Sequence, residues 1–416
     1  MMHSRELEPV PSVPRQEGNL EVDLQHIRQR FPALAPTSDG GLPLVHADAP
    51  GGTQAVDRAI DAMADHLRSG SANQHGAFDI SQRTDAMVEH VRTQVGRFLG
   101  SPTDGIVFGP NMTTLTLHLS RALTPRLAPG DDIVCTQLDH DANVSPWLLL
   151  AERSGAEVRF VPLDPTTGRL AVDGLEQAVT DRTRLIAFPG ASNALGTVVD
   201  PGPFVTAARS VGALTFMDAV HLAPHRPIDR VASGVDAVAC SPYKFFGPHA
   251  GILAADPELL AALTPDKLRP APDVGPERWQ TGTASFEAIA GIGGALDHLE
   301  EVGLAAISDH EQRLTERFLA GVDALTHVTL HGPPGTTDRT PTFAVTVDGW
   351  QPFAIAEAFA ARGINVWAGH YYAIEPMRAL GLLDAGGAVR IGFVHYHGPD
   401  DVDRVLEALA DLRWLP

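Results

Sequence analysis

The stretch that decides the fold is 214-LTFMDAVHLAPHRPIDRVASGVDAVACSPYKFFGPHAG-251. It contains two short apolar runs, 214–217 and 237–240, and opens a third at Gly251. Each of the two has a glycine shortly before it and a polar residue, Asp218 or Ser241, immediately after it. Apolar runs this short, bounded this way, read as buried strands. Runs of the same kind recur upstream at 106–108, 133–137, 158–161 and 185–188, and the third run covers 251–254. Amphipathic patterns at 113–123 and 204–211 lie between them. Strands alternating with helices predict an α/β domain whose sheet of seven strands is mainly parallel and covered by helices. In such sheets ligands bind beyond the carboxyl ends of the strands, so the polar residues that follow each run are the candidates for chemistry.

Those residues form an ordered set. After 106–108 comes GPNMTT, where Thr113 and Thr114 open a helix, and free amides with a hydroxyl at a helix start suit a phosphate. Thr113 taken alone also reads as a cap. After 133–137 comes LDHDAN, which sets His140 beyond a strand end. After 185–188 comes GASNALG, with Asn193 between glycines. Asp218 ends the run at 214–217, and a carboxylate at a buried strand end calls for a cationic partner. Lys244 stands four residues past Cys240. The 31 basic residues include two lysines, Lys244 and Lys267. Arginine stays protonated, whereas a lysine can serve as a neutral amine, so a lysine retained in an arginine-rich chain is a candidate nucleophile. A phosphate cup, a flat side chain, an acid and a lysine, in chain order, are what pyridoxal 5'-phosphate requires. The lysine forms its Schiff base and the acid pairs with its pyridinium nitrogen.

On these residues, and on MDAVHLAPH, CSPYKFFGPHAG, QTGTASFE, AGHYYA and VRIGFVHY, the chain resembles the class V aminotransferase family, in its cysteine desulfurase-like branch, over about residues 44–412. The resemblance implies a fold type I, aspartate-aminotransferase-like large domain and a smaller α+β C-terminal domain. It also implies a pyridoxal phosphate enzyme that acts on an amino acid. Lys244 is then the cofactor lysine and the proton carrier at the substrate Cα, and His140 stacks on the ring. Asp218 holds the ring nitrogen, His221 faces the phenolic oxygen, and Asn193 lies near that oxygen and the substrate carboxylate. Met112, Thr113, Ser241 and Tyr243 contact the phosphate. Thr283 reaches the phosphate of a neighbouring subunit, which implies a homodimer. Arg390 grips the substrate carboxylate, a task that suits a bidentate guanidinium.

Two departures qualify the activity. The branch carries a mobile-loop cysteine that attacks substrate sulfur, but the matching position in AGHYYA is Tyr372. The chain's two cysteines, Cys135 and Cys240, fall within or at the end of strands, where a cysteine packs as a small hydrophobe. Second, SANQHG has Gly76 where an arginine is common, which leaves Asn73 and His75 as the pocket candidates of that segment. The expected reaction is C–S or C–Se cleavage by β-elimination without a loop cysteine. Epimerisation, transamination and ring-forming substitution are the alternatives on this scaffold. Tyr372, with Tyr371, is a candidate for lining the substrate pocket.

Composition frames the remainder. The chain has 416 residues, 44% hydrophobic and 20% charged, which is a globular composition with room for two domains. Its formal net charge of −20 argues against general nucleic-acid binding. No apolar run reaches membrane-span length. Two cysteines form no disulfide framework and suit a reducing cytoplasm. The 18 histidines raise the question of a metal. The proline in HLAPH, however, denies His221 and His225 one helical face, and His395 and His397 have no acidic partner close by in the sequence, so no metal is expected. We expect a flexible tail at 1–19, a large domain at 40–284 and a small domain from 20–39 with 285–416. In the latter, a long helical stretch covers 286–325 and strands cover 343–347, 364–367 and 389–393. Helices are expected at 352–361 and 399–412, and residues 20–36 form a helix packed on this domain.

Overall fold

The computed structural model describes residues 22–35 and 43–414. The tail expected at 1–19 lies outside the described residues. Seven strands build the larger sheet: β1 (Ile106–Gly109), β2 (Asp132–Thr136), β3 (Glu157–Val161), β4 (Thr183–Pro189), β5 (Leu214–Asp218), β6 (Ala237–Cys240) and β7 (Gly251–Ala255). Their order across the sheet is β1-β7-β6-β5-β4-β2-β3. The pairs β2/β3, β2/β4, β4/β5 and β5/β6 are parallel, while β7 runs antiparallel to both of its neighbours. Six strands therefore point one way and deliver their carboxyl ends to one edge. Every residue of β2, β6 and β7 is buried, because helices cover both faces. One apolar cluster, with Ile186, Val238 and Ile292, fills one side; another, with Trp147, Ile133 and Phe216, fills the other.

The smaller sheet is antiparallel throughout. Its strands are β8 (Val328–His331), β9 (Thr342–Val347), β10 (Trp367–Gly369) and β11 (Ala388–Gly392), in the order β8-β9-β11-β10. Phe318, Phe343, Phe359 and Phe393 form its core with the helix Pro399–Asp411.

The strand Val328–His331 was not expected, and three expected elements differ from the sequence reading. The helical stretch expected over 286–325 is two helices, Phe286–Val302 and Leu304–Asp323, parted at Gly303. Gly303 has φ 82°, a left-handed geometry that breaks the helical ladder and that glycine adopts at little cost. The strand expected at 364–367 begins only at Trp367; Ile364 instead makes a parallel bridge to Val45. The helix expected over 20–36 covers only Leu24–Gln29, capped by the Asp23 side chain, before Pro32 opens a 3-10 turn. This segment touches both sheets' surroundings: Ile27 and Phe31 enter the larger core, and Arg28 pairs with Asp401 at 2.9 Å.

Candidate active site

The carboxyl ends of β1, β2, β4, β5 and β6 converge on one cavity lined by Met112, Thr113, His140, Asn193, Asp218, His221, Ser241, Tyr243 and Lys244. Each residue arrives on a turn that its own strand sets up. The helix Met112–Leu123 starts beyond β1, and the Asn111 side chain caps it by accepting from Thr114 N at 2.8 Å. Met112 N donates to Ser241 Oγ at 3.3 Å, tying this helix start to the turn after β6. Gly251 permits that approach: a Cβ there would lie 2.2 Å from the Asn111 carbonyl carbon. Thr113 is exposed at the first turn, so its hydroxyl is open to an anion, while the amides on either side of it are held by Ser241 Oγ and the Asn111 cap.

Past β2, buried Asp139 closes the loop by accepting from Thr136 Oγ1 at 2.6 Å and from Asn143 Nδ2 at 2.7 Å. His140 Nδ1 accepts from Ala142 N at 3.0 Å, which orients the ring. Burial, reinforced by Lys244 and Arg390, pushes the His140 pKa down to about 3, so the imidazole is neutral and presents an apolar face. Asp218 ends β5; one oxygen accepts from Val220 N at 2.9 Å. Burial raises its carboxyl to about 6, against the opposing pull of that amide and of Lys244. Lys244 Nζ donates to the Pro50 carbonyl at 2.5 Å and lies 5.0 Å from the centre of the Tyr243 ring. Burial and Arg390 lower its amine to about 7, with Asp218 acting in opposition. An amine with that pKa is substantially unprotonated at neutral pH, as a nucleophile or base must be.

Arg390 comes from β11, the central strand next to β9 and β10 in the smaller sheet, so both sheets contribute to the site. Its Nη1 donates to the Asn193 carbonyl at 3.0 Å, and its guanidinium stacks 4.6 Å from the Tyr371 ring centre. Burial lowers its pKa to about 10, so the side chain keeps its charge. The AGHYYA segment is fastened over the site. Asn193 Nδ2 donates to Tyr371 O at 3.1 Å, and Asp141 N donates to Tyr372 O at 2.7 Å. The Tyr372 ring stacks on His140, centroids 5.6 Å apart at 27°. Tyr371 and Tyr372 have φ of 39° and 58°, a left-handed pair that costs about 1–2 kcal/mol per residue and is held by these contacts.

The residues fit the cofactor. Asn193 Oδ1, Arg390 Nε and Tyr371 Oη are buried and have no hydrogen-bond partner among the described residues. Leaving such groups unpaired costs about 1–3 kcal/mol each, so the site is built for a polar ligand. An open helix start, a neutral histidine ring, a carboxylate and a lysine surround the remaining space.

Three predicted residues lie elsewhere. Asn73, His75 and Thr283 line a separate open cleft with Lys267 and Glu277, and none of them borders the Lys244 cavity within the chain. His75 pairs there with Glu277 at 3.3 Å and with Asp85 at 3.5 Å. Sequence reading missed Pro50, Asp139, Thr340 and Thr342. Thr340 and Thr342 both contact His221, but a hydroxyl more than a hundred positions away carries no local signal. His221 and His225 do not share a helix, and their rings meet edge to face 5.3 Å apart. His395 and His397 lie in the turn after β11; His395 Nε2 is 2.9 Å from His298 Nε2. Among the described residues, no group of three or more His, Cys, Asp or Glu side chains is placed to hold a metal ion. No helix among them is long and apolar enough to cross a membrane.

Comparison with known proteins agrees with this fold. The aminotransferase class-V family model matches residues 45–405. A probable cysteine desulfurase 2 of Mycobacterium leprae is 30% identical over 406 residues, covering 92% of this chain and 95% of that protein. The apo structure of a cysteine desulfurase from Thermococcus onnurineus superposes with a TM-score of 0.87 at 25% identity, covering 94% of this chain and 98% of that one. A cysteine desulfurase of Escherichia coli, in an S-sulfonic acid form, superposes with a TM-score of 0.84 at 26% identity, covering 95% and 99%. With a lysine, an acid and a helix start gathered at the strand ends of a fold type I scaffold, the chain belongs to the class V aminotransferase family and is a pyridoxal phosphate enzyme of its cysteine desulfurase-like branch.

Proposed function

We propose that this enzyme cleaves a C–S or C–Se bond of a β-substituted amino acid by elimination, with no cysteine accepting the sulfur. The observation that carries the reading is the placement of the two thiols against that of Tyr372. Cys135 and Cys240 are fully buried within β2 and β6, and burial raises both thiols above their ordinary pKa. Neither is then a thiolate able to attack sulfur. Tyr372 is 65% exposed on the loop that faces His140, at the position where the branch carries its nucleophile.

When bound, pyridoxal phosphate supplies an electron sink that makes the substrate Cα–H acidic. Thr113, the Met112 amide, Ser241 and Tyr243 hold its phosphate, His140 covers one face of the ring, and Asp218 keeps the ring nitrogen protonated. Arg390 binds the substrate carboxylate through its free Nε edge, beside Asn193. Lys244 takes the Cα proton. Sulfur or selenium then leaves Cβ with the electron pair of the broken bond, and the Tyr372 hydroxyl protonates the departing group. A second subunit completes the site. Thr283, Asn73 and His75 share one cleft, and a homodimer that set this cleft over the partner's Lys244 cavity would bring Thr283 to the phosphate and Asn73 and His75 to the substrate side. We also propose the division into a large domain at 40–284 and a small domain from 20–39 with 285–416, and a cytoplasmic location in keeping with two free cysteines.

Mass spectrometry of the enzyme during turnover, with the Cys135→Ala/Cys240→Ala double variant, tests the reading. The double variant should retain turnover, and no persulfide should accumulate on either cysteine. A persulfide together with a dead but folded double variant overturns it. A product with inverted Cα, or with its amino group transferred and its β-substituent intact, would assign the chain to the epimerase or aminotransferase alternatives.

A further inference from the structure

His221 borders the Lys244 cavity with one edge of its ring and the smaller sheet with the other. Its Nε2 lies 2.9 Å from Thr342 Oγ1, on β9, and 3.2 Å from Thr340 Oγ1 just before that strand. All three side chains are buried. Thr340 Oγ1 also has the Gly196 carbonyl as an acceptor, at 3.4 Å. For the Thr342 hydroxyl, His221 Nε2 is the sole hydrogen-bond partner among the described residues. A buried hydroxyl proton needs an acceptor, so Thr342 donates and Nε2 accepts. The imidazole proton is thereby assigned to Nδ1, the nitrogen left for the cavity. Against the ring's other side stands His225, whose Nδ1 is 2.7 Å from Glu311 Oε2, both side chains buried. This pair pins His225, and His225 meets His221 edge to face at 5.3 Å.

We propose that Thr342 is a positioning residue that fixes the Nδ1–H tautomer of His221, so that the ring offers a hydrogen-bond donor to the cofactor's phenolic oxygen. The proposal rests on the reading that His221 faces that oxygen. A phenolate accepts hydrogen bonds, and an Nδ1 without its proton would meet it lone pair to lone pair. The contact also makes the orientation of a large-sheet side chain depend on the smaller sheet, since Thr340 and Thr342 belong to one and His221 follows a strand of the other. The titratable groups around His221 are His225, Lys244, Arg390 and His140, with Glu311 behind His225. Burial, the first cause, and its charged neighbours such as Lys244 and Arg390 hold His221 well below the ordinary histidine pKa, so the ring is neutral and its tautomer is what remains to be set.

The test is the pH titration of the bound cofactor's visible absorbance in the holoenzyme, with cofactor retention measured by dialysis. Thr342→Val keeps the shape of the strand and removes the hydroxyl. It should move the titration midpoint upward by about half to one pH unit, the equivalent of one net hydrogen bond. Thr342→Ser should restore the wild-type midpoint. If the Val variant does not fold, Thr342→Cys, a weak donor of similar size, should give an intermediate upward shift. His221→Phe separates the two layers of the argument. If it leaves the midpoint unmoved, His221 does not face the phenolic oxygen. If it moves the midpoint but folded, loaded Thr342→Val and Thr342→Cys do not, the assignment of Thr342 is wrong.

Discussion

Replacing Asp218 with asparagine should have opposite effects on the empty and the loaded protein. Asp218 is 6% exposed at the end of β5, and its carboxyl has one backbone donor, Val220 N, and the Lys244 amine in its vicinity. Burial nevertheless dominates and raises its pKa from 3.8 to about 6. An acid whose folded pKa lies above its unfolded one binds protons more tightly when folded, so it costs stability as pH rises through that window. At 1.36 kcal/mol per unit, the cost reaches about 3 kcal/mol above pH 6 and vanishes below pH 4. Asp218→Asn keeps the shape and removes the buried charge. The apoprotein variant should therefore be more stable than the wild type by up to about 3 kcal/mol at pH 7.5 and equal to it near pH 4. The loaded protein should respond in the reverse sense, since a neutral amide cannot balance a pyridinium, and breaking a buried pair costs about 3–5 kcal/mol. Urea denaturation of the apoprotein at several pH values, with equilibrium dialysis of pyridoxal phosphate, measures both. An apo variant no more stable than the wild type at pH 7.5 refutes the burial argument. Undiminished cofactor affinity refutes the pairing with the ring nitrogen. The two expected effects together describe a site whose stability is given up for binding.

Borohydride reduction of the holoenzyme should label Lys244 and leave Lys267 unmodified, because Lys267 sits in the other cleft, paired with Asp273 at 3.0 Å; peptide mapping reads the result. Arg390→Lys should lower kcat/KM by about 10- to 100-fold, chiefly through KM, since a point ammonium cannot reproduce a two-pronged grip worth about 1.5–3 kcal/mol per charged hydrogen bond. Steady-state kinetics over a wide substrate range would show it, and an unchanged KM would remove Arg390 from the carboxylate site. Thr283→Ala should weaken cofactor retention even though Thr283 borders a different cleft in its own chain, and sedimentation should report a dimer that holds the cofactor. A monomer that binds pyridoxal phosphate as well as the wild type does would contradict the shared site.

The sequence by itself determined the larger sheet and most of the residues that line the Lys244 cavity. Strands buried on both faces must be continuous apolar runs, and the residue that ends each run must emerge at the sheet edge. Asp218, Ser241 and Lys244 are therefore readable from position alone, and Lys244 also from the scarcity of lysine. Local signals fail where the outcome depends on distant partners. Whether helix persists through Gly303 or strand begins before Trp367 was settled by backbone geometry and by the bridge from Ile364 to Val45. The partners of the site residues were likewise decided by tertiary structure: Pro50 at Lys244, the Tyr371 and Tyr372 carbonyls at Asn193 and Asp141, and Thr342 at His221. These contacts join positions tens to hundreds of residues apart, and the side chains involved are ordinary in composition and spacing. Their meaning arises only when packing removes water and leaves a donor one acceptor within reach, as among the described residues it leaves the Thr342 hydroxyl His221 alone.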